Sequence, residues 1–395
     1  MARILYLSYD GMLEPLGQSQ VLAYLQQLAS QHQIDLISFE KAHDWAKTDE
    51  RQQLAGRIAA AGIRWHPLRY HKRPSALATA WDIFAGTALG LWLVVRHRVQ
   101  IIHARSYVAS VMALNIKRLT GRRFLFDMRG FWADERVDGG IWPAGSRLYR
   151  VAKGFEQRFL LAADAIVSLT HAAVREMQTF PYLQGMARRF QVIPTCTNLA
   201  LFRPLPRAEA RPFTVGYVGS VGVWYLFDET LACFKALQQR WPEARLLVIN
   251  REDHAFIAER VAAAGIDPQR IEIKAARHDT VAQEISRMDV GLFFIKPAYS
   301  KTASAPTKLG EFLGCGVPCL ANAGVGDQAE VLRRGGVGIV VEQFTPEAFA
   351  QAAAELAAKL AEPDLAQRCV AVAQAEFSLE GGVAAYDALY RELTA

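Results

Sequence analysis

Short apolar runs alternate along this chain with stretches whose apolar residues recur at helical spacing. "RILYLSY" reads as a strand buried on both faces, the habit of parallel sheets. "SQVLAYLQQLASQ" follows with helical spacing, and "IDLISFE" is the next strand. "VQIIHARS" and "RRFLFDMRG" are two more strands, separated by a helix around Val108–Leu119. "ADAIVSLT" and "FQVIPTC" complete the first series. A second series runs from "FTVGYVGS" through the strands "ARLLVIN", "RIEIKAA", "VGLFFIKP", "VPCLAN" and "VGIVVE". The stretches between them ("FDETLACFKALQQRWP", "AFIAERVAAAGI", "TVAQEISRM", "PTKLGEFLG" and Ala329–Leu332) read as helices. Strand–helix alternation of this kind predicts an α/β fold with two Rossmann-like doubly wound domains. "TNLALFRPLPRAEARP", with Pro204, Pro206 and Pro212, reads as the linker, giving domains 1–205 and 206–375.

Length agrees with this division, since 395 residues exceed one compact core and suit two. A hydrophobic content of 51% excludes global disorder. The five cysteines lie at no zinc spacing and read as reduced thiols of a cytosolic protein. The N-terminus begins directly as a strand, without the features of a signal peptide. Charge changes the picture more. Residues 1–205 carry 26 Lys and Arg against 15 Asp and Glu, a net of +11; residues 206–395 carry 19 against 24, a net of −5. The basic half suits an anionic partner: nucleic acid, a membrane surface or a phosphate-bearing substrate. "SALATAWDIFAGTALGLWLVVRHR" is long enough to span a bilayer. Asp82 and the helical spacing of Leu77, Trp81, Phe84, Ala88, Leu91 and Val95 argue instead for a packed or an interfacial helix. His71, Lys72, Arg73, Arg96 and Arg98 flank it with basic groups.

Neither half has a clean dinucleotide fingerprint, because Gly216, Gly219 and Gly222 of "GYVGSVG" are wrongly spaced, and there is no Walker A sequence. Ligands of doubly wound sheets bind outside the carboxyl ends of strands. In the first half, "SYDGMLEPLGQSQ" brings Asp10, Gly17 and Gln18 there, with a helix start suited to phosphate. "IIHARS" brings His103 and Arg105, and "FDMRGFWADE" brings Asp127, Arg129, Asp134 and Glu135. Two arginine-bearing loops beside a glycine loop favour an anion site, the alternative for Arg129 being a structural pair with Asp127 or Asp134. In the second half, Lys301 and Lys308 of "PAYSKTASAPTK" suit a diphosphate, and Glu311 suits the vicinal hydroxyls of a ribose. A plain surface pair of Lys308 with Glu311, three residues apart, is the alternative. "NAGVGDQAEVL" sets Gly324 and Val325 at a further helix start; Gly219, Ser220 and Arg277 complete the donor-side candidates.

These stretches carry a resemblance. "VIPTCTNLALFRP" resembles the hinge motif, and "PTKLGEFLGCGVPCLAN" the Lys–Glu element, of the GT-B glycosyltransferases, especially family four. "PLGQSQVLAYLQQLA" is similar to that family's glycine-loop helix, and "FSLEGGVAAYDALYREL" to its C-terminal helix. The resemblance implies two Rossmann-like domains facing across a cleft, with residues 376–395 returning to the N-terminal domain. It implies a retaining, metal-independent hexosyltransferase without a cofactor. The donor would be a UDP-sugar or GDP-mannose, and the acceptor a glycan or polyprenyl-diphosphate-linked glycan of bacterial polysaccharide synthesis. It makes Glu311 the ribose-binding acid and brings Gly17 to the diphosphate and sugar. The chain departs from the family pattern in three places. Ala303, between Thr302 and Ser304, stands where a carboxylate is expected eight residues before Glu311. "GSVGVWYLFDE" lacks the usual Arg and Lys. The sugar-contacting histidine of many members would fall near Arg105. The candidate catalytic set is therefore Arg129, Arg105, Asp127 and Lys308, with Lys301 aiding the diphosphate grip. The acceptor side is Asp10, Gln18, His103, Asp134 and Glu135. The expected setting is cytoplasmic, on the inner face of the membrane through the basic half, with no nucleic acid partner. A GT-B nucleotide-sugar epimerase and a non-catalytic nucleotide-sugar-binding module are the alternatives.

Overall fold

The computed structural model describes residues 1–73, 75–206, 211–277 and 280–395; residues 207–210 of the expected linker lie outside this set. The chain divides into two compact units, Met1–Ile193 with Gly382–Ala395, and Pro194–Gly381.

The first unit holds seven parallel strands in the order β3-β2-β1-β4-β5-β6-β7. They are β1 (Arg3–Ser8), β2 (Gln33–Glu40), β3 (Arg64–Arg69), β4 (Ile101–Arg105), β5 (Arg123–Asp127), β6 (Ala165–Ser168) and β7 (Phe190–Val192). Helices cover both faces, so β1 and β4 are buried almost throughout. The sequence pattern does not predict β3, "RWHPLR", whose residues are only partly buried and include Pro67. An edge strand tolerates that proline because one side of its backbone has no ladder partner. Register matters for function: Ser8 pairs with Arg105, and Arg105 with Asp127. Three neighbouring strands thus end in one row. The row spans the point between β1 and β4 where the strand order reverses.

The second unit holds six parallel strands in the order β10-β9-β8-β11-β12-β13. They are β8 (Thr214–Val218), β9 (Arg245–Ile249), β10 (Ile271–Lys274), β11 (Val290–Phe293), β12 (Cys319–Asn322) and β13 (Gly338–Val341). Its reversal point lies between β8 and β11. Packing there is close: a Cβ on Gly291 of β11 would lie 2.6 Å from the ring of Phe312, a side chain that is fully buried. Burial of one such ring contributes roughly 1.5–3 kcal/mol. All five cysteines are free and buried.

The units divide at 193/194 and 381/382, where the sequence reading placed the limits at 205/206 and 375/376. Backbone pairing explains the difference. Thr197 donates its N–H to Phe377 at 2.7 Å and accepts from Leu379 at 3.0 Å, so "PTCTN" belongs with the second unit. The C-terminal helix, Leu379–Thr394, joins the first unit as the resemblance implies. Tyr386 and Tyr390 on it are buried there, and Asp387 lies 2.8 Å from His32.

Candidate active site

In the second unit, the helix Thr307–Gly314 starts at Pro306 and buries Leu309, Phe312 and Leu313. Gly310 and Gly314 let the chain around Thr197 and Phe202 press against it, since a Cβ would meet those residues at 2.6 and 2.7 Å. With that face committed to packing, Lys308 and Glu311 lie together beside it. The Lys308 ammonium is buried and has no hydrogen-bond partner. It sits 4.1 Å from the centre of the Tyr225 ring, with Tyr217 at 5.0 Å and Phe293 at 5.5 Å. A Cβ on Gly219 would fall 3.0 Å from its Nζ, and Gly219 has a φ of +117°, so glycine is required there on both counts. Burial pulls the Lys308 amine down to about 7, with Glu311 pulling the other way. Burial pushes the Glu311 carboxyl up to about 7, with Lys308 opposing.

A pocket of about 420 Å³ opens beside this pair, lined by Gly219, Ser220, Asn250, Asp253, Ala276 and Glu311 among others. It lies outside the carboxyl ends of β8 and β9, where the fold predicts a ligand. Asn250, absent from the sequence candidates, shapes it. Its amide donates to the Gly219 carbonyl at 3.0 Å, while its side-chain oxygen accepts from the N–H groups of Glu252 and Asp253. Its position directly after the strand "RLLVI" is the only signal the sequence offers.

The segment "GVWYL" supplies two further groups that sequence reading missed. Tyr225 bridges to Gly222 and to Ile295, so the turn folds back over the strand ends. This puts Tyr225 over Lys308 and the Trp224 ring 3.7 Å from the Lys301 ammonium. Aromatic faces thus hold both lysines in the segment that lacks the expected Arg and Lys. Lys301 is buried in the turn Tyr299–Ala303, and its carbonyl accepts from Gly326, which ties this turn to the loop of Gly324 and Val325. Val325 is buried and Gly324 has a φ of +79°. Arg277 is exposed and follows Ala276 of the pocket wall. Ala303 is buried.

In the first unit, the row of strand ends gathers Asp10, Arg105, Asp127 and Arg129. Arg105 Nε donates to Asp10 at 3.3 Å, and its Nη1 lies 3.9 Å from Asp127. Arg129 Nη1 lies 3.8 Å from the other Asp127 oxygen. Tyr386 donates to Asp127 at 3.1 Å. Burial alone would push the Asp127 carboxyl up; Arg129, His103 and Arg105 outweigh it and hold the group below the usual carboxylate range. Both arginine turns are strained: Ser106, next to Arg105, has a φ of +66°, and Arg129 itself +59°. Such backbone costs on the order of 1–2 kcal/mol per residue and persists only where its surroundings enforce it.

His103 is buried beside this row, its Nε2 3.6 Å from Asp127, with its Nδ1 2.6 Å from the Tyr390 hydroxyl and its ring 4.3 Å from the Tyr6 ring centre; burial holds its imidazole below the usual range. Asp134 accepts from Tyr149 at 2.8 Å and Lys153 at 2.9 Å, in a buried network with Glu156, and does not pair with Arg129. Gly17 faces the Gly11 carbonyl, which a Cβ would meet at 2.0 Å, so it serves backbone packing. The N–H groups of Met12 and Leu13 in the same loop donate to the buried Glu40, a residue the sequence did not single out. Gln18 is half-buried in a π-helical turn, Gln18–Leu22, and Glu135 is half-buried in the helix Trp132–Asp138.

Comparison with known families accounts for both halves. Residues 17–196 match the glycosyl transferase 4-like domain, and residues 212–359 match glycosyl transferases group 1. The chain belongs to the GT-B glycosyltransferases and resembles family four. No curated protein sequence matches it significantly. Solved structures agree in fold. Sucrose-phosphate synthase from Thermosynechococcus elongatus is 17% identical with a TM-score of 0.71, covering 100% of this chain and 99% of its own. Anabaena HepE, in complex with UDP and glucose, is 15% identical with a TM-score of 0.67, covering 100% of both chains. A putative UDP-N-acetylglucosamine 2-epimerase from Listeria monocytogenes is a weaker likeness, 10% identical with a TM-score of 0.58, covering 96% of this chain and 93% of its own. Within this glycosyltransferase, the two turns of Lys301 and Gly324, the Gly219 loop and the Lys308–Glu311 helix all belong to the second unit.

Proposed function

We propose that this glycosyltransferase moves a sugar, with retention of anomeric configuration, from a nucleoside diphosphate sugar to a hydroxyl of a glycan or lipid-linked glycan in bacterial polysaccharide synthesis. The observation that carries the donor reading is the buried Lys308 ammonium without a partner, beside Gly219 and a pocket that Glu311 enters. A buried amine without a counter-ion contact is costly unless a ligand supplies the missing oxygen atoms. A diphosphate does so at Lys308, while Glu311 accepts from the ribose hydroxyls. The complex of Anabaena HepE with UDP and glucose supports a UDP-sugar as the first donor to try, with GDP-mannose second.

The chemistry follows from charge. As the bond from the anomeric carbon to the diphosphate oxygen breaks, negative charge grows on the leaving group. Lys308 and Lys301 lower the barrier to the extent that they hold this charge more tightly in the transition state. Among the described residues no group of three or more His, Cys, Asp or Glu could hold a metal ion. We assign neutralisation of the leaving group to the lysines. The test is turnover of UDP-glucose and GDP-mannose against glycan and polyprenyl-diphosphate-linked acceptors, with the anomeric configuration of the product read by NMR. Transfer with retention is expected. Inversion, epimer release without acceptor, or donor binding without turnover against any acceptor would contradict the reading.

A further inference from the structure

The helix Ser75–His97 carries large apolar groups on its outer face. Trp81 is 58% exposed, Phe84 63% and Trp92 57%, and Leu77 and Val95 extend the stripe. Its inner face is built of small residues: a Cβ on Gly86 would meet Met112 at 2.6 Å, and one on Gly90 would meet Ile116 at 2.6 Å. The helix packs on Ser106–Thr120, which packs in turn on Arg147–Ala162. Of the sixteen exposed large hydrophobic residues among those described, eight lie on these three helices, so the apolar surface is concentrated and not scattered.

The same layer is basic. Residues 83–126 contain seven Lys and Arg and no Asp or Glu. Arg96, Arg98, Arg118 and Arg122 are exposed and make no ion pair among the described residues. The acid of the third helix, Glu156, is fully buried. Aromatic and aliphatic groups flanked by free arginines complement an anionic lipid surface, where the rings enter the headgroup boundary and the cations meet the phosphates. A second copy of the same face would set these arginines against one another, and so fits worse.

We infer that this helix layer docks the protein on an anionic bilayer, lying in its interface. The helix Ala76–His97 is long and apolar enough to cross a membrane. It lies on the fold instead, because Asp82 on its inner side accepts from the Tyr9 hydroxyl at 2.9 Å and the His71 N–H at 3.1 Å, and is buried. Insertion across a bilayer would break these bonds and uncover the sheet beneath. The inference stands apart from the donor reading, since none of its residues touches the pocket at Gly219 and Glu311.

The experiment is co-sedimentation of the full chain with vesicles of phosphatidylcholine containing phosphatidylglycerol, and with phosphatidylcholine alone. Binding to the anionic vesicles is expected to exceed that to the neutral ones by tenfold or more and to weaken with salt. The combined substitutions Trp81→Ser, Phe84→Ser and Trp92→Ser should reduce it at least tenfold, as should Arg96→Glu with Arg98→Glu. Hydrogen exchange on the unmodified chain reads the same face without substitution: vesicles should protect the amides of residues 76–97. No vesicle binding, binding unaltered by either set, exchange unchanged by vesicles, or a solution dimer lost with the aromatic set in place of vesicle binding would each overturn the inference.

Discussion

At the ends of β4 and β5, Arg105 and Arg129 share one carboxylate, Asp127, which Tyr386 also reaches. Past the end of β8, Lys308 has aromatic rings around it and no hydrogen-bonding partner. Both places are reversal points of parallel sheets, and both put cations where ligands bind. They differ in whether the charge is already answered. The arginine row is largely self-neutralised, strained in backbone and locked to the C-terminal helix, which suits a rigid frame. The Lys308 amine feels Glu311 through space but has no hydrogen-bonded carboxylate, which suits the capture of an anion.

The largest expected effect separates the two directly. Lys308→Met should lower kcat/KM for the donor by roughly two to three orders of magnitude, the scale of losing one preorganised group at developing charge. The melting temperature should hold or rise, because the variant removes a buried, unpartnered amine. Early melting with activity lost only in proportion to the unfolded fraction would erase the contrast.

Arg129→Ala should behave in the opposite way. It removes a partner of buried Asp127, and breaking such a pair costs on the order of 3–5 kcal/mol. A clear drop in melting temperature is expected, with much of it recovered when Asp127→Ala is added. If turnover stays depressed in the recovered double variant, Arg129 also serves the reaction. A single variant that melts normally would show that the row is not the frame described here.

How much of this contrast the sequence could reveal depends on the range of the interactions. Strands β1, β4 and β8 announce themselves because burial on both faces demands unbroken apolar runs. Lys308 and Glu311 are legible because helical spacing of three puts them on one side. β3 is hidden by its polar, half-buried composition and by Pro67. The unit limits are hidden because Thr197 pairs with Phe377, far along the chain. Tyr225 and Trp224 reach the lysines only after the turn at Gly222 folds back, and Glu40 reaches Met12 and Leu13 only across neighbouring loops. The missing hydrogen-bond partner of Lys308 is a property of packing, so no local pattern carries it.

Glu311→Gln sharpens the comparison more gently. It keeps the shape of the pocket and weakens hydrogen bonds to a charged acceptor, so donor affinity should fall by about 1–3 kcal/mol with little change in melting temperature. Unaltered affinity in a binding titration would remove Glu311 from the donor site.

The smallest expected effect is that of a chelator. With the leaving group held by lysines, turnover should be unchanged in excess EDTA. Loss of activity that magnesium or manganese restores would move that role from the lysines to a metal.

The central claim is that the lysine site awaits the charge of a diphosphate, and protons report it. Burial draws the Lys308 amine from its ordinary value of 10.5 down to about 7. The group is therefore largely uncharged at pH 8, and a bound diphosphate must draw a proton onto it. Above pH 7 affinity should accordingly weaken as pH rises. Below pH 7, Glu311, raised to about 7, gains a proton and loses acceptor strength, so affinity should weaken as pH falls. The direct measurement is calorimetric titration of the preferred nucleotide sugar at pH 8, in two buffers of different ionisation enthalpy. Proton uptake by the natural chain that is clearly larger than uptake by Lys308→Met is the predicted result. Binding without proton uptake, or the same uptake in both proteins, would contradict the account.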